Sequence, residues 1–120
     1  MIIFHNRIYQ EDVNANPKVM YIIPTNDKKE LMRVVGSNVI GLRCRYARSA
    51  AWSDVTLDSN ILKIDEDLSE IKKILRHKQI VVLSNSLLGE EIDRMQVDCP
   101  KTYAYIKSEV DKLFKRFSGE

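Results

Sequence analysis

Two stretches hold the side chains with which this chain could do chemistry. The first is Arg43-Cys44-Arg45-Tyr46-Ala47-Arg48, followed by Trp52. Arginine presents a planar fork of donors that fits phosphate or carboxylate, and Tyr46 and Trp52 offer faces for stacking. Arg43 and Arg45 share one face if the strand that carries them continues. Such a surface would bind an acidic protein patch or a nucleic acid, and the spacing favours neither. The competing reading is a solvated strand end, with Trp52 filling part of the core.

The second stretch is Ser84-Asn85-Ser86-Leu87-Leu88-Gly89-Glu90-Glu91, which leaves the apolar run Ile80-Val81-Val82-Leu83. In α/β domains the loop at the carboxyl end of a central strand is where a ligand usually sits, because backbone N–H groups and a helix N-terminus face the same crevice. A phosphate cradle needs small residues there and surroundings that favour negative charge. Glu90 and Glu91 put two carboxylates at that place. A unit charge about 4 Å from another, at an effective dielectric of about 20, interacts by about 4 kcal/mol, and here the sign is repulsive. The alternative is that both acids stabilise the dipole of a helix start. On either reading the loop holds an anion poorly.

Other candidates carry less. Neither Ser84 nor Ser86 has the Gly-x-Ser-x-Gly setting of a nucleophile elbow. Asn85 suits a turn or a polar contact. His5 closes the first apolar run and could face the crevice, whereas His77 follows a basic helix end and reads as a dipole-compensating surface residue. No Asp, Glu and His group has metal-ligand spacing, and neither a cofactor nor catalysis is expected. Cys44 and Cys99 match no zinc or redox motif and read as free thiols.

The elements that must position these residues follow from the apolar pattern. Strands are expected at 1–4, 18–24, 38–44 and 80–83, nearly continuous in apolar residues as strands covered on both faces should be. A short helical turn precedes Asn16-Pro17. Thr25-Asn26-Asp27 caps a helix from 28 to 35, stopped by Gly36. Residues 45–60 show no period and read as a long loop, with a short helix near 53–57. Ile61-Leu62-Lys63-Ile64 reads as an edge strand, and Asp65 then caps a helix with Leu68, Ile71, Ile74 and Leu75 on one face. A short helix is expected at 90–95. Pro100 opens the last helix, where Tyr103, Ile106, Val110, Leu113, Phe114 and Phe117 recur at helical spacing.

Strand, helix, strand is the crossover pattern of a parallel sheet. The 120 residues are 44% hydrophobic and 30% charged, enough for one domain, residues 1–120, with a real core. The fold expected is a single three-layer α/β sandwich with a mixed or mostly parallel sheet flanked by helices. The net charge of +2 does not itself predict nucleic-acid binding, but basic residues gather at 43–48 and acidic ones at 54–70 and Glu90-Glu91. The apolar runs are too short to span a bilayer and the start lacks a signal-peptide pattern, so a cytoplasmic protein without membrane contact is expected.

Two segments carry a resemblance. His5-Asn6-Arg7-Ile8-Tyr9-Gln10-Glu11-Asp12 through Asn16-Pro17 to Tyr21, and Cys99-Pro100-Lys101-Thr102-Tyr103-Ala104-Tyr105-Ile106, resemble a group of short phage and bacterial proteins that look distantly macro-domain-like. Members of that group carry a Gly-Asp-Asn turn and a Gly-Gly-Gln-Ala segment after the second strand. Here Pro24-Thr25-Asn26-Asp27 stands in their place. Their later Gly-x-Gly loop aligns on Gly89-Glu90-Glu91, where the second glycine is a glutamate. The resemblance implies a macro-domain-like scaffold whose nucleotide pocket has decayed. From it follows a non-catalytic, phage-encoded accessory protein that occupies a host protein or another acidic macromolecule through Arg43, Arg45, Tyr46, Arg48 and Trp52. The alternative is a binder or hydrolase of a nucleotide-type ligand, ADP-ribose-like or a cyclic nucleotide, held beside Ser84, Asn85, Ser86 and Gly89. A third reading is a homo-oligomer that pairs through the last helix or a strand edge.

Overall fold

The computed structural model describes residues 2–5, 7–28, 34–45, 50–77, 79–84 and 94–117. Its elements are β1 (Ile2–His5), α1 (Gln10–Ala15), β2 (Met20–Asn26), β3 (Val39–Arg45), a 3-10 turn (Asp54–Thr56), α2 (Leu57–Arg76), β4 (Val81–Ser84), α3 (Met95–Asp98) and α4 (Pro100–Phe117). The four strands form one sheet in the order β1-β4-β2-β3, and every pairing is parallel. The chain is thus an α/β fold built on a small parallel sheet.

Both faces of the sheet are covered, which is why its strands read as unbroken apolar runs. On one face Ile2, Ile22, Leu42, Val81 and Leu83 pack with Ile64, Leu68 and Ile71 of α2 and with Ile106, Val110 and Leu113 of α4. On the other, Tyr21, Val39 and Val82 pack with Ile8, with Val13 of α1 and with Val34. The connection β1 to β2 crosses the second face through α1, Val34 of the β2 to β3 connection lies on that same face, and β3 to β4 returns over the first through α2. A reversal of direction combined with a change of face keeps one hand throughout, as parallel crossovers require.

Strand β2 runs two residues beyond Pro24, where a sequence reading stops it. The reason lies in which way each N–H points. Met20 donates to Ile80 O on the β4 side and Tyr21 to Asn38 O on the β3 side, both at 2.9 Å. Pro24 has the parity of Met20, so the donor it lacks would face β4, whose register with β2 ends at Ile22 and Leu83. Pairing with β3 continues past Pro24, which stands opposite Leu42, to Thr25 opposite Arg43, after which the register shifts. Gly41 is needed on that side: a Cβ there would lie 2.5 Å from Cγ2 of Thr25.

Asn38 ties α1 to the sheet. Its buried side-chain amide donates to the carbonyls of Val13, Asn16 and Val19 at 3.0, 3.0 and 3.1 Å, which closes the turn before β2. Gln10 pairs with the Val35 backbone through both its amide nitrogen and its oxygen, at 2.8 and 2.9 Å, in the manner of a strand neighbour.

Four sequence expectations change. Residues 61–64 are helical rather than an edge strand, because the buried stripe of α2 begins at Asn60 and continues through Ile64, Asp67, Leu68, Ile71 and Leu75. The helix expected at 28–35 is absent from its described ends, Lys28 lying in a turn and Val34 and Val35 in irregular backbone; residues 29–33 lie outside the described residues. The long loop expected at 45–60 is shorter, since α2 takes up residues 57–60, while the 3-10 turn at Asp54–Thr56 falls where a short helix is expected. Of the short helix expected at 90–95, residues 90–93 lie outside the described residues, and the observed helix is Met95–Asp98.

Candidate functional site

With all pairings parallel, the strands end on one edge of the sheet, in His5, Asn26, Arg45 and Ser84. This is the edge at which α/β sheets hold ligands. His5 is half-buried and stands in register with Ser84. Asn85, Ser86, Gly89, Glu90 and Glu91, the rest of the central loop, lie outside the described residues, as do Tyr46 and Arg48.

Beside β2 and β3 this edge is built from ion pairs. Asp27, one residue past β2, accepts from Trp52 Nε1 at 3.0 Å and from Lys63 Nζ at 2.7 Å. The Lys63 ammonium also stands 5.7 Å from the centre of the indole ring. Trp52 itself is only 4% exposed and belongs to the main core. It does fill the core, and its one polar atom is taken by Asp27.

Arg43 is engaged inside the chain as well. Its backbone N–H and its Nε both donate to Asp67 Oδ2, at 2.8 and 3.1 Å, and Nη2 reaches Asp67 Oδ1 at 3.1 Å. Nη2 also donates to Glu66 Oε2 at 2.9 Å and to the Lys63 carbonyl at 3.3 Å. The Arg43 side chain is 13% exposed and that of Asp67 is fully buried. Burial works to lower the guanidinium pKa, but hydrogen bonds and charge from Asp67 and Glu66 outweigh it and hold the pKa above its ordinary value. Arg43 therefore clasps β3 to α2. The β2-β3 register shifts between Thr25 and Asn26, which pair with Arg43 and Arg45. Arg45 ends the strand half-buried.

A second polar knot joins the starts of α2 and α4. Asp54 accepts from the backbone N–H groups of Lys101 and Thr102 at 3.0 and 3.1 Å, and from Thr102 Oγ1 at 3.0 Å. Desolvation works to raise its pKa, but these bonds and the charge of Lys101 together outweigh it and hold the carboxyl below its ordinary value. Asn60 Nδ2 donates to Ser53 O and to Thr102 Oγ1. Next to this knot, burial first, and then the charges of Asp54 and Asp98, push the Cys99 thiol up to about 11. Both cysteines are free and buried. Farther along, Tyr105 donates to Asp65, and burial together with that bond raises the phenol's pKa.

Asp27, Lys63, Asp67, Asn60 and Asp54 escape a reading by motif. Two of them leave a trace in sequence: Asn60 and Asp67 fall on the apolar stripe of α2, where a polar residue must find an internal partner. Among the described residues no group of three or more His, Cys, Asp or Glu side chains could hold a metal ion. Among them, too, no helix is long and apolar enough to cross a membrane.

The fold and this edge define an α/β protein with a four-stranded parallel sheet. A family of unknown function, DUF7831, matches residues 3–109, and the chain belongs to it. No curated protein and no solved structure matches the chain.

Proposed function

We propose that the chain is a non-catalytic binding protein that engages an acidic protein partner where β3 leaves the sheet, through Arg45, Tyr46 and Arg48. The observation that carries this reading is the position of β3. Among the described residues it is one of the two edge strands, and it brings Arg45 to the carboxyl edge just before residues 46–49. Arg43 and Trp52, the other members of the motif, support the surface from within rather than touch the partner. The phage origin, the macro-domain-like ancestry and action in the host cytoplasm belong to the same proposal. Their support is the resemblance carried by residues 5–21 and 99–106.

The test is cross-linking and co-purification with the double variant Arg45→Glu, Arg48→Glu. Arg43 must stay, since its loss would strand the buried Asp67 and confuse unfolding with lost contact. One dominant partner, captured by the native chain and lost from the double variant at unchanged melting temperature, is the expected result. Retention by the folded double variant overturns the proposal.

The nucleotide-ligand reading has one observation of its own, the convergence of four parallel strand ends on one edge. A thermal-shift and calorimetric screen of ADP-ribose and cyclic nucleotides separates the two, because micromolar binding is worth about 8 kcal/mol and stands clear of background.

A further inference from the structure

Helices α2 and α4 run side by side in the same sense. Asn60 bonds to Thr102 near their starts and Asp65 to Tyr105 farther on, so the two chains advance together. Both start at the carboxyl edge of the sheet, where Asp54 holds Lys101 and Thr102. Helix α2 then descends to the entry of β4. Helix α4 passes Phe4 of β1, against which Phe114 packs with ring centres 4.7 Å apart, and continues to Phe117. Helix α2 ends shortly before Ile80, whose carbonyl accepts from the N–H of Met20, the first residue of β2, and α4 runs parallel beside it. The two C-termini thus lie toward the amino edge of the sheet, the end opposite Arg45.

Charge divides along the same direction. The first half of α2 holds Asp58, Asp65 and Glu66, with Asp67 and Glu70 just beyond, against Lys63 alone. Its last six residues include Lys72, Lys73 and Arg76 and no acid; the last six of α4 include Lys112, Lys115 and Arg116 and no acid. Lys73, Arg76, Lys115 and Arg116 are exposed, and so is Lys18, whose carbonyl accepts from Gln79 at 2.7 Å beside the entry to β4. Lys112 pairs with Glu109, and Glu70 and Asp111 are the acids one turn back. A helix C-terminus carries only about half a negative charge, which one cation answers. Three on each helix exceed that need.

We infer that this amino-edge surface, formed by Lys18, Lys73, Arg76, Lys115 and Arg116, binds the phosphate backbone of nucleic acid. Ridges of cations on two adjacent helices match a polyanion whose charges recur at short intervals along its axis. A lipid surface would call for apolar side chains to insert among these cations. The large apolar residues exposed in this region, Phe114 and Ile80, are only about one-third open.

Fluorescence anisotropy with a short duplex DNA tests the inference, with vesicles of anionic phospholipid as the second arm. The full chain is expected to bind DNA at low salt. For about four phosphate contacts, raising salt from about 50 to about 200 mM should weaken binding about 100-fold. Lys73→Glu with Lys115→Glu should abolish binding, and Lys73→Arg with Lys115→Arg should retain it, both sites being exposed enough to leave the fold intact. Arg45→Glu with Arg48→Glu should leave DNA affinity unchanged, which separates this surface from the partner site proposed above. Absence of DNA binding at low salt, affinity unaffected by the double reversal, or vesicle binding without DNA binding would each overturn the inference.

Discussion

One carboxylate oxygen of Asp67 accepts both the backbone N–H and the Nε of Arg43, so a single buried acid caps the outer edge of β3 and neutralises the cation that β3 carries. An open strand edge invites pairing with another chain, and covering it with a helix is one way proteins prevent that. Here α2 supplies the cover. The geometry gives the pair a structural role at the base of the proposed partner surface.

Removing Arg43 should accordingly cost stability rather than affinity. Arg43→Met takes the guanidinium away from the buried Asp67 carboxylate and leaves it the N–H of residue 43, and loss of one member of a buried pair costs about 3–5 kcal/mol. Adding Asp67→Asn should recover part of the loss, because the amide oxygen still accepts from the strand N–H while the stranded charge is gone. Urea denaturation of the single and double variants measures this. Equal stability of Arg43→Met and the native chain would mean that the clasp contributes nothing.

How far this site could be read in advance depends on sequence distance. The strands are legible because Tyr21-Ile22-Ile23 and Ile80-Val81-Val82-Leu83 are apolar on both faces, as a covered parallel sheet demands. The last helix is legible because its stripe persists from Tyr103 to Phe117. By contrast Ile61 to Ile64 reads as strand only in a window too short to show a 3.6-residue period. The polar residues Asn60 and Asp67 also break up the stripe that would have revealed α2. Arg43 and Asp67 stand 24 residues apart on different elements, and no local pattern pairs them. The motif looked like a surface because its neutralising acid was out of view.

Trp52 offers a direct check, being the only tryptophan. Its emission should be blue-shifted in the native chain and resist quenching by iodide, with a red shift on unfolding. Trp52→Phe keeps an aromatic side chain but removes the donor to Asp27 and some buried volume, at a cost of about 1 kcal/mol or more, read as a lowered denaturation midpoint at unchanged slope. Strong iodide quenching in the native state would place the indole at the surface and contradict its burial.

Acid should act through Asp54. Its pKa is lowered in the folded chain, so the unfolded state takes up a proton first as pH falls. The stabilisation it provides is fully present above about pH 4, the ordinary aspartate value, and disappears as pH drops through the folded value. Asp54→Ala should therefore melt below the native chain at neutral pH. The gap between their melting temperatures should close in the acid range below about pH 4. A gap independent of pH would assign the effect of Asp54 to packing instead of charge.

The thiols give the last prediction. Cys99 is pushed up to about 11, so about one molecule in a thousand carries the thiolate at pH 8, and the sulfur is buried besides. Cys44 is equally buried, its Sγ lying 3.6 Å from the Thr25 carbonyl. Neither thiol can then act as an attacking group in the native chain. Maleimide or aromatic disulfide reagents at pH 8 should label neither residue on the timescale of free cysteine, whereas in strong denaturant both should react at once. Because modification requires opening of the core, the native labelling rate should rise with added urea in proportion to the unfolded population. Prompt labelling of Cys99 in the absence of denaturant, mapped by peptide mass, would show that the start of α4 opens without global unfolding and that the knot of Asp54 and Thr102 does not hold it shut.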